Sequence, residues 1–483
     1  MDMLEIKVRV NGGAERTAVA EENESAVFKE VAAVLADAPV PSTVEIESER
    51  LRALYEVRER GTYVKDGTVH PSRYIVEAEC ECDLAPSAYE EAYLTAVNEE
   101  CNQYKFYRIK PAAAGEIECE YGRIGDRSGR FASRRPVRYA SRLYWIRYLE
   151  KIGKGYVDQS DVYLTPECRG DAGGEAGEPA EETASTRLRA LLMGFARNAV
   201  RSALACEHVS EGQVKRSREI LGELSEAADV GDFNRRLLEL MSICPRRIGD
   251  KNTGGVRALL AESESDYERI ANREESLVLA MEAVAGRRPE GGRDHGSFPD
   301  GISVREATPE EEAEVRGMLD PEQDRMLRTL YRVDSARHRA RFEERCRDRG
   351  ITDVKRFWHG SRSENWCSIV ENGLLLNPNA AITGKMFGNG IYTAPDSGKS
   401  WGYTSARGSY WARGTSDTGI MGLYAAAYGK PYDVTRSGWY DQEFLDAHGC
   451  DCVHAHRGSG LYRDEVVFYD EAALCLEYLA IFG

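Results

Sequence analysis

The sequence predicts a multidomain α+β protein, and three observations carry that expectation. At 483 residues the chain is long enough for three or four domains, each with its own core. Hydrophobic periodicity changes along it: alternating runs such as Met1–Val10 come first, helical period holds from Leu188 to Ala285, and β-branched and aromatic runs return near the C-terminus. Two aperiodic stretches separate these regions, Cys168–Ser185 rich in Gly, Ala, Glu and Pro, and Ala285–Pro299 rich in Gly, Arg and Pro. The expected layout is a module over 1–85, a β-rich domain over 86–162, a linker over 163–187, an all-α bundle over 188–290 and a mixed α+β domain over 300–483.

Composition narrows the class. The net charge of −17 discourages nucleic-acid binding over the whole surface, so any such site must be local. Twelve cysteines without a Cys-x-x-Cys spacing argue against zinc fingers and a disulfide scaffold; reduced, buried thiols inside a cell fit better. That location would be nuclear in a eukaryote, cytoplasmic or nucleoid-associated in a bacterium. The first residues lack a signal-peptide core, and no apolar run approaches a membrane span. Repeats are absent.

In the first module, Asn11-Gly12-Gly13 between alternating runs predicts a hairpin turn, and Ala26–Ala36 a helix. The role of this α/β module stays open. The next region is different. Lys105–Lys154 holds thirteen Lys/Arg against five Asp/Glu, interleaved with Phe106, Tyr107, Tyr121, Tyr139, Trp145 and other aromatics. Asn102–Ile109 and Glu116–Ile124 read as strands, and Tyr139–Ile152 as an amphipathic helix. Tyr121-Gly122-Arg123, with Asn102, Lys105-Phe106-Tyr107 and Gly153-Lys154-Gly155-Tyr156, resembles the WGR domain, whose signature tryptophan is replaced here by Tyr121. The resemblance implies end-stacking on broken DNA by Tyr121 and coupling through Arg123, and the basic stretch itself offers salt-sensitive phosphate contact by Arg123, Arg127, Arg130, Arg134, Arg135, Arg138 and Arg142. A solvated basic face is the plain alternative.

The helical tract comprises Leu188–Val209, Glu211–Asp229, Phe233–Ile243, Gly254–Ala261 and Glu264–Ala285, with Ser210 as an N-cap. Its Ser210-Glu211-Gly212-Gln213 and Leu240–Pro245 resemble the helical regulatory domain of poly(ADP-ribose) polymerases. There, the bundle restrains the NAD site until DNA loosens it.

The C-terminal region carries the chemistry. His359-Gly360-Ser361, Gly390-Ile391-Tyr392, Lys399-Ser400, Tyr403 and Glu465 are too dispersed for one local element and make sense as a pocket converging from strands. Aromatic faces suit a flat ring, Gly backbone and Ser hydroxyl suit an amide, and His and Glu suit ribose hydroxyls. With Asn365, Gly373-Leu374, Thr383-Gly384, Met386–Tyr392 and Asp464–Asp470, and with Tyr392 and Tyr403 eleven residues apart, the region resembles the catalytic domain of poly(ADP-ribose) polymerases. That family implies a split antiparallel sheet and NAD as substrate. It implies that Gly360 and Ser400 bind the nicotinamide amide, Tyr392 and Tyr403 flank the ring, His359 and Ser361 hold the adenine-side ribose, and Asn365 is a further NAD-binding residue. Glu465 would align the nicotinamide-side ribose and the acceptor, with Lys399 beside it. Leu375 stands where the family often has an arginine toward the adenosine end.

Cys450, Cys452, His454 and His456 alternate along a strand. Six strand residues span about 20 Å, too far for these four to close around one zinc ion, so no metal is expected; Cys80 and Cys82 are read as structural. The expected function is an NAD-dependent protein ADP-ribosyltransferase, poly-ADP-ribosylating proteins including itself, and responsive to DNA ends or nicks. Mono-transfer, NAD hydrolysis, or a nucleic-acid-end binding protein with a degenerate NAD-sensing domain are the alternatives.

Overall fold

The structure is a computed structural model that describes residues 3–65, 68–98, 103–113, 115–124, 136–164, 183–205, 209–247, 255–285, 296–376, 386–410, 412, 414–458 and 460–483. Asn102, Arg127, Arg130, Arg134, Arg135, Thr383, Gly384 and most of both expected linkers lie outside those residues. The chain divides into two compact units, Met1–Asp171 with Met241–Leu259, and Ala172–Leu240 with Leu260–Gly483.

The first unit holds two five-stranded sheets. One joins β1 (Met3–Val10), β2 (Arg16–Glu21), β3 (Ser42–Glu47), β4 (Leu51–Lys65) and β5 (Thr68–Cys82) in the order β2-β1-β3-β4-β5. Alternation in β1 turns Leu4, Ile6 and Val8 inward against α1 (Glu24–Asp37), which buries Val27, Phe28, Val31 and Leu35. The expected turn is present, with Asn11 and Gly12 at φ 51° and 66°; Asn tolerates this left-handed region and Gly enters it freely. The second sheet joins β6 (Ala92–Asn98), β7 (Gln103–Pro111), β8 (Glu116–Arg123), β9 (Val137–Ala140) and β10 (Val157–Asp158) in the order β10-β6-β7-β8-β9, with α2 (Tyr144–Ile152) and α3 (Ser160–Tyr163). The helix expected from Tyr139 starts instead at Tyr144. Val137–Ala140 pairs with Glu116–Cys119, as a β-branched and aromatic stretch beside an unpaired edge favours.

Helical periodicity alone does not show that Met241–Leu259 belongs to this first unit. The Tyr163 hydroxyl donates to the carbonyls of Ser242 at 2.9 Å and Ile243 at 2.8 Å, and Tyr104 donates to that of Met241 at 3.3 Å. The tract read as one bundle over 188–290 is thereby divided.

In the second unit, α4 (Ala184–Ala203), α5 (Glu211–Leu224), the start of α6 (Val230–Ile243) and α7 (Tyr267–Val284) form the helical part. Ser210 caps α5 as expected: its Oγ accepts from Gln213 N at 3.1 Å while Gln213 Oε1 accepts from Ser210 N at 2.9 Å. The segment expected as a helix over Gly254–Ala261 is a short 3-10 turn, Gly255–Leu259.

The remainder follows as β11 (Ile302–Glu306), α8 (Pro309–Arg316), α9 (Pro321–Met326), β12 (Leu327–Ser335), α10 (Ala336–Asp348), β13 (Val354–Gly360), α11 (Trp366–Asn372), β14 (Ile391–Thr393), α12 (Ser397–Trp401), β15 (Gly419–Ala427), β16 (Pro431–Val434), α13 (Gln442–His448), β17 (Cys452–Ala455), β18 (Glu465–Phe468) and β19 (Leu474–Phe482). Two sheets result, β11-β12-β19-β15-β13 and β14-β18-β17-β16. The first is antiparallel throughout. The second departs from the expected pattern in one place, since β16 and β17 run parallel. Reciprocal backbone bonds between Trp358 and Ala394, at 2.8 and 2.9 Å, stitch β13 to the end of β14. That stitch brings the His-Gly-Ser strand against the Tyr392 strand. No helix among the described residues is long and apolar enough to cross a membrane.

Candidate active site

His359 and Gly360 close β13, where Trp358 anchors the strand by full burial. The His359 Nδ1 lies 2.9 Å from the Tyr392 carbonyl oxygen. A carbonyl only accepts, so Nδ1 carries the proton and Nε2 is left as an acceptor. Burial lowers the pKa of this imidazole and so favours that neutral form. Ser361 follows, its Oγ accepting from Asn365 Nδ2 at 3.0 Å. Asn365 is only 5 % exposed, yet its Oδ1 has no hydrogen-bond partner among the described residues. A buried acceptor left over in this way suits a ligand hydroxyl.

Opposite stands α12. Asp396 caps it, accepting from Gly398 N at 2.9 Å and Lys399 N at 3.3 Å, and Arg463 bonds to both Asp396 and Asp320, the latter at 2.7 Å. Neither Asp396 nor Arg463 stood out from the sequence, although Asp ahead of Ser-Gly-Lys-Ser is an N-cap signature. The cap fixes two side chains. Ser400 is buried, and its hydroxyl donates to the Trp358 carbonyl at 3.0 Å, which leaves its oxygen lone pairs to accept. Lys399 Nζ lies 2.7 Å from Glu465 Oε1, with side-chain exposures of 12 % and 7 %.

Glu465 opens β18, whose next residues pair with β14: Thr393 with Val466 and Tyr392 with Val467. The Tyr392 hydroxyl accepts from Phe387 N at 3.0 Å and donates to Gly388 O at 2.9 Å. It therefore holds the glycine-rich loop and offers the pocket its ring face. Tyr403 is 39 % exposed. Its hydroxyl pKa is raised by partial burial first, then by Glu465, Tyr392 and Glu268 of α7, so these carboxylates and both tyrosines lie within electrostatic reach. His359, Gly360, Tyr392, Lys399, Ser400, Tyr403 and Glu465 thus converge, and Ser361 and Asn365 adjoin them. Leu375 lies in a cleft shared with Arg218, Glu282, Arg337, Arg341 and Asn372, so guanidinium groups are present at this edge although Leu375 supplies none.

Gly360 is the tightest point. A Cβ there would run into the Ser400 carbonyl oxygen and carbon, backbone atoms held by the α12 cap. Gly360→Ala should cost about 2–3 kcal/mol of stability, as forced overpacking does, and should abolish displacement of a nicotinamide analogue in a binding assay. Unchanged melting and unchanged analogue binding would place the amide subsite elsewhere.

The helical part touches this region directly. On α11, Ser368 Oγ donates to Glu282 Oε2 of α7 at 3.0 Å, Cys367 Sγ contacts Met193 Sδ of α4 at 3.3 Å, and Glu371 pairs with Arg189 of α4 at 3.5 Å.

In the first unit, Tyr121 is 48 % exposed and stacked on Tyr107, with centroids 6.2 Å apart; Arg123 ends β8. Many cations of the basic stretch are already countered. Arg108 pairs with Glu91, Lys110 with Glu120 at 2.9 Å, Arg142 with Glu77 at 2.7 Å and Arg147 with Glu150 at 2.9 Å, while Arg138 lies 3.6 Å from both Glu116 and Glu118. Lys151 sits over the Tyr107 ring at 4.2 Å, and burial pushes its ammonium pKa down to about 8.

Residues 311–459 match the family model described as the poly(ADP-ribose) polymerase catalytic domain; Glu465 falls just beyond the matched stretch. The chain is 36 % identical over 105 residues to poly [ADP-ribose] polymerase 2 of Homo sapiens, covering 22 % of this chain and 16 % of that protein. It is 48 % identical over 50 residues to poly [ADP-ribose] polymerase 2 of Zea mays, covering 10 % and 8 %. It is 47 % identical over 49 residues to the protein mono-ADP-ribosyltransferase PARP8 of Mus musculus, covering 10 % and 6 %. The chain thus spans no more than 16 % of the length of these curated relatives. The pocket geometry and the family match fall in the same region, and the C-terminal part of the chain carries a poly(ADP-ribose) polymerase catalytic domain.

Proposed function

We propose that this protein is an NAD-dependent protein ADP-ribosyltransferase, extending poly(ADP-ribose) chains on acceptors including itself. The observation that carries the reading is the buried Lys399–Glu465 pair beside the Gly360–Ser400 cradle. A nicotinamide carboxamide would bond to the Gly360 backbone and donate to Ser400 Oγ, with its ring between Tyr392 and Tyr403. The neutral His359 Nε2, the Ser361 hydroxyl and the orphaned Asn365 Oδ1 would serve the adenosine side. Glu465 would accept from the 2′-OH of the nicotinamide-side ribose. As the N-glycosidic bond breaks, nicotinamide leaves with the bonding pair and the ribose gains oxocarbenium character, which the Glu465 carboxylate stabilises. The acceptor nucleophile then attacks the anomeric carbon and loses its proton.

Mono-transfer is a second reading, favoured by the similarity to a relative named as a mono-ADP-ribosyltransferase. Incubation with labelled NAD, with and without nicked DNA, separates the outcomes on a gel. A ladder means polymer, a single small shift means mono-transfer, and free ADP-ribose means hydrolysis. No product at all would leave a degenerate NAD-sensing domain.

We further infer that the 86–162 domain binds DNA ends or nicks through Tyr121 and Arg123. Support comes from the exposed Tyr121 face; Arg127, Arg134 and Arg135 would add phosphate contacts, whereas Arg138 and Arg142 already face carboxylates. Coupling to the catalytic region has a covalent route, because the chain enters the first unit at Met241 and returns to the second at Leu260. Fluorescence anisotropy of the full chain with nicked, blunt and closed-hairpin DNA at two salt concentrations checks this. Affinity should fall steeply with salt, Tyr121→Ala should erase the preference for ends, and Arg123→Ala should uncouple binding from activation. Equal weak binding to all three DNAs would mean a solvated basic face.

A further inference from the structure

One cluster outside the pocket draws donors from two neighbouring strands. On a single strand, Cys450, Cys452, His454 and His456 cannot close around an ion, and the structure keeps both cysteines buried. The two histidines find other partners. β16 runs parallel to β17 with Asp433 in register opposite His454, and donor atoms of Asp433, His454 and His456 all lie within 4.8 Å of one another. His456 Nε2 is 2.6 Å from Asp433 Oδ1, and the two imidazoles stack with centroids 4.1 Å apart. Asp464 flanks the set: its Oδ2 is 3.2 Å from His454 Nε2, and its Oδ1 accepts from Arg457 N at 2.8 Å, which fixes the carboxylate.

We propose that Asp433, His454 and His456 form a binding site for a divalent transition-metal ion, zinc by its chemistry, with a fourth position left to Asp464 or water. Two imidazoles with carboxylates suit Zn²⁺, whose bonds of about 2.0–2.2 Å put neighbouring tetrahedral donors about 3.4 Å apart by geometry, so donors already within 4.8 Å of one another need only side-chain adjustments to close around it. An outer partner is in place as well. The Tyr428 hydroxyl lies 2.8 Å from His454 Nδ1, so it can take the Nδ1 proton as a hydrogen bond and present Nε2 to the ion. On binding, the protons now shared in the His–Asp hydrogen bonds pass to solvent. The site adjoins the transferase centre, because Asp464 precedes Glu465 and Ala455 pairs with Glu465 in register.

The test uses the full chain, stripped with chelator, and reads metal alone. Titration with Zn²⁺ in a calorimeter should show uptake of one equivalent. Co²⁺ in its place should give the visible absorption of a tetrahedral nitrogen–oxygen site without a thiolate charge-transfer band. His456→Asn and Asp433→Asn should each weaken uptake at least tenfold, Tyr428→Phe about tenfold, and the pair Cys450→Ser with Cys452→Ser not at all. If the histidine variant misfolds by circular dichroism, the tyrosine and cysteine variants still decide. No stoichiometric uptake, a thiolate band, or uptake indifferent to Asp433 and Tyr428 would overturn the site and leave a metal-free His–Asp hydrogen-bond network.

Discussion

Glu465→Gln should lower ADP-ribosyl transfer by at least two to three orders of magnitude while an NAD analogue still binds. The amide keeps the shape of the carboxylate but not the charge that the developing oxocarbenium ion needs, so the loss falls on the transition state. The structure adds a second consequence. Lys399 Nζ, 2.7 Å from Glu465 Oε1 and largely buried, would face a neutral amide, and breaking one side of such a pair is costly. The variant should therefore also lose about 2 kcal/mol of stability. Adding Lys399→Met should restore much of that stability without restoring transfer. Measured together, thermal melting, analogue binding and product formation from labelled NAD separate the two effects. Full transfer by Glu465→Gln would remove the carboxylate from the chemistry; an unchanged melting point would mean that the ion pair contributes nothing to the fold.

Much of this pocket could be read from residue order because its parts sit at strand ends and turns, where residue type is dictated locally. His359 and Gly360 end a strand, and Gly388 holds a φ of 82° that favours glycine; outside the pocket, Ser210 likewise caps its helix through a capping box visible in Ser-x-x-Gln. What could not be read depends on pairing between distant segments. Tyr139 looks helical by spacing, yet β8 offers it an edge. Nothing around Leu240–Ala261 signals that Tyr163 would bind the carbonyls of Ser242 and Ile243 and pull the segment into another unit. The Asp433–His454 register is of the same kind, since parallel strands bring together residues that no local pattern links. Cation counts mislead for a related reason: Arg108, Arg138 and Arg142 each meet a carboxylate from a segment distant in sequence, and charge along the sequence does not show this.

The helices of the second unit should restrain transfer until they are loosened, and Arg189→Ala combined with Met193→Ala should raise the DNA-independent rate at least tenfold. Both residues lie on α4 and reach α11, Arg189 to Glu371 at 3.5 Å and Met193 to Cys367 at 3.3 Å. α11 starts immediately after Asn365, whose amide holds Ser361, so the helices grip the segment proposed to serve the adenosine side. α7 makes two further approaches, through Glu282 to Ser368 and through Glu268 toward Tyr403. Weakening this docking by about 3 kcal/mol, an ordinary sum for one buried ion pair and one truncated core side chain, would multiply a minor released population by about a hundred until it saturates. Under the proposed DNA response, the rate at saturating DNA should stay unchanged, because DNA would shift the same equilibrium. Removing the whole tract is a poorer experiment, since 241–259 belongs to the first unit. The decisive measurement is the rate of ADP-ribose incorporation without DNA, wild type against double variant, with circular dichroism as the control for folding. A folded variant with an unchanged basal rate would reduce these helices to a structural support for α11.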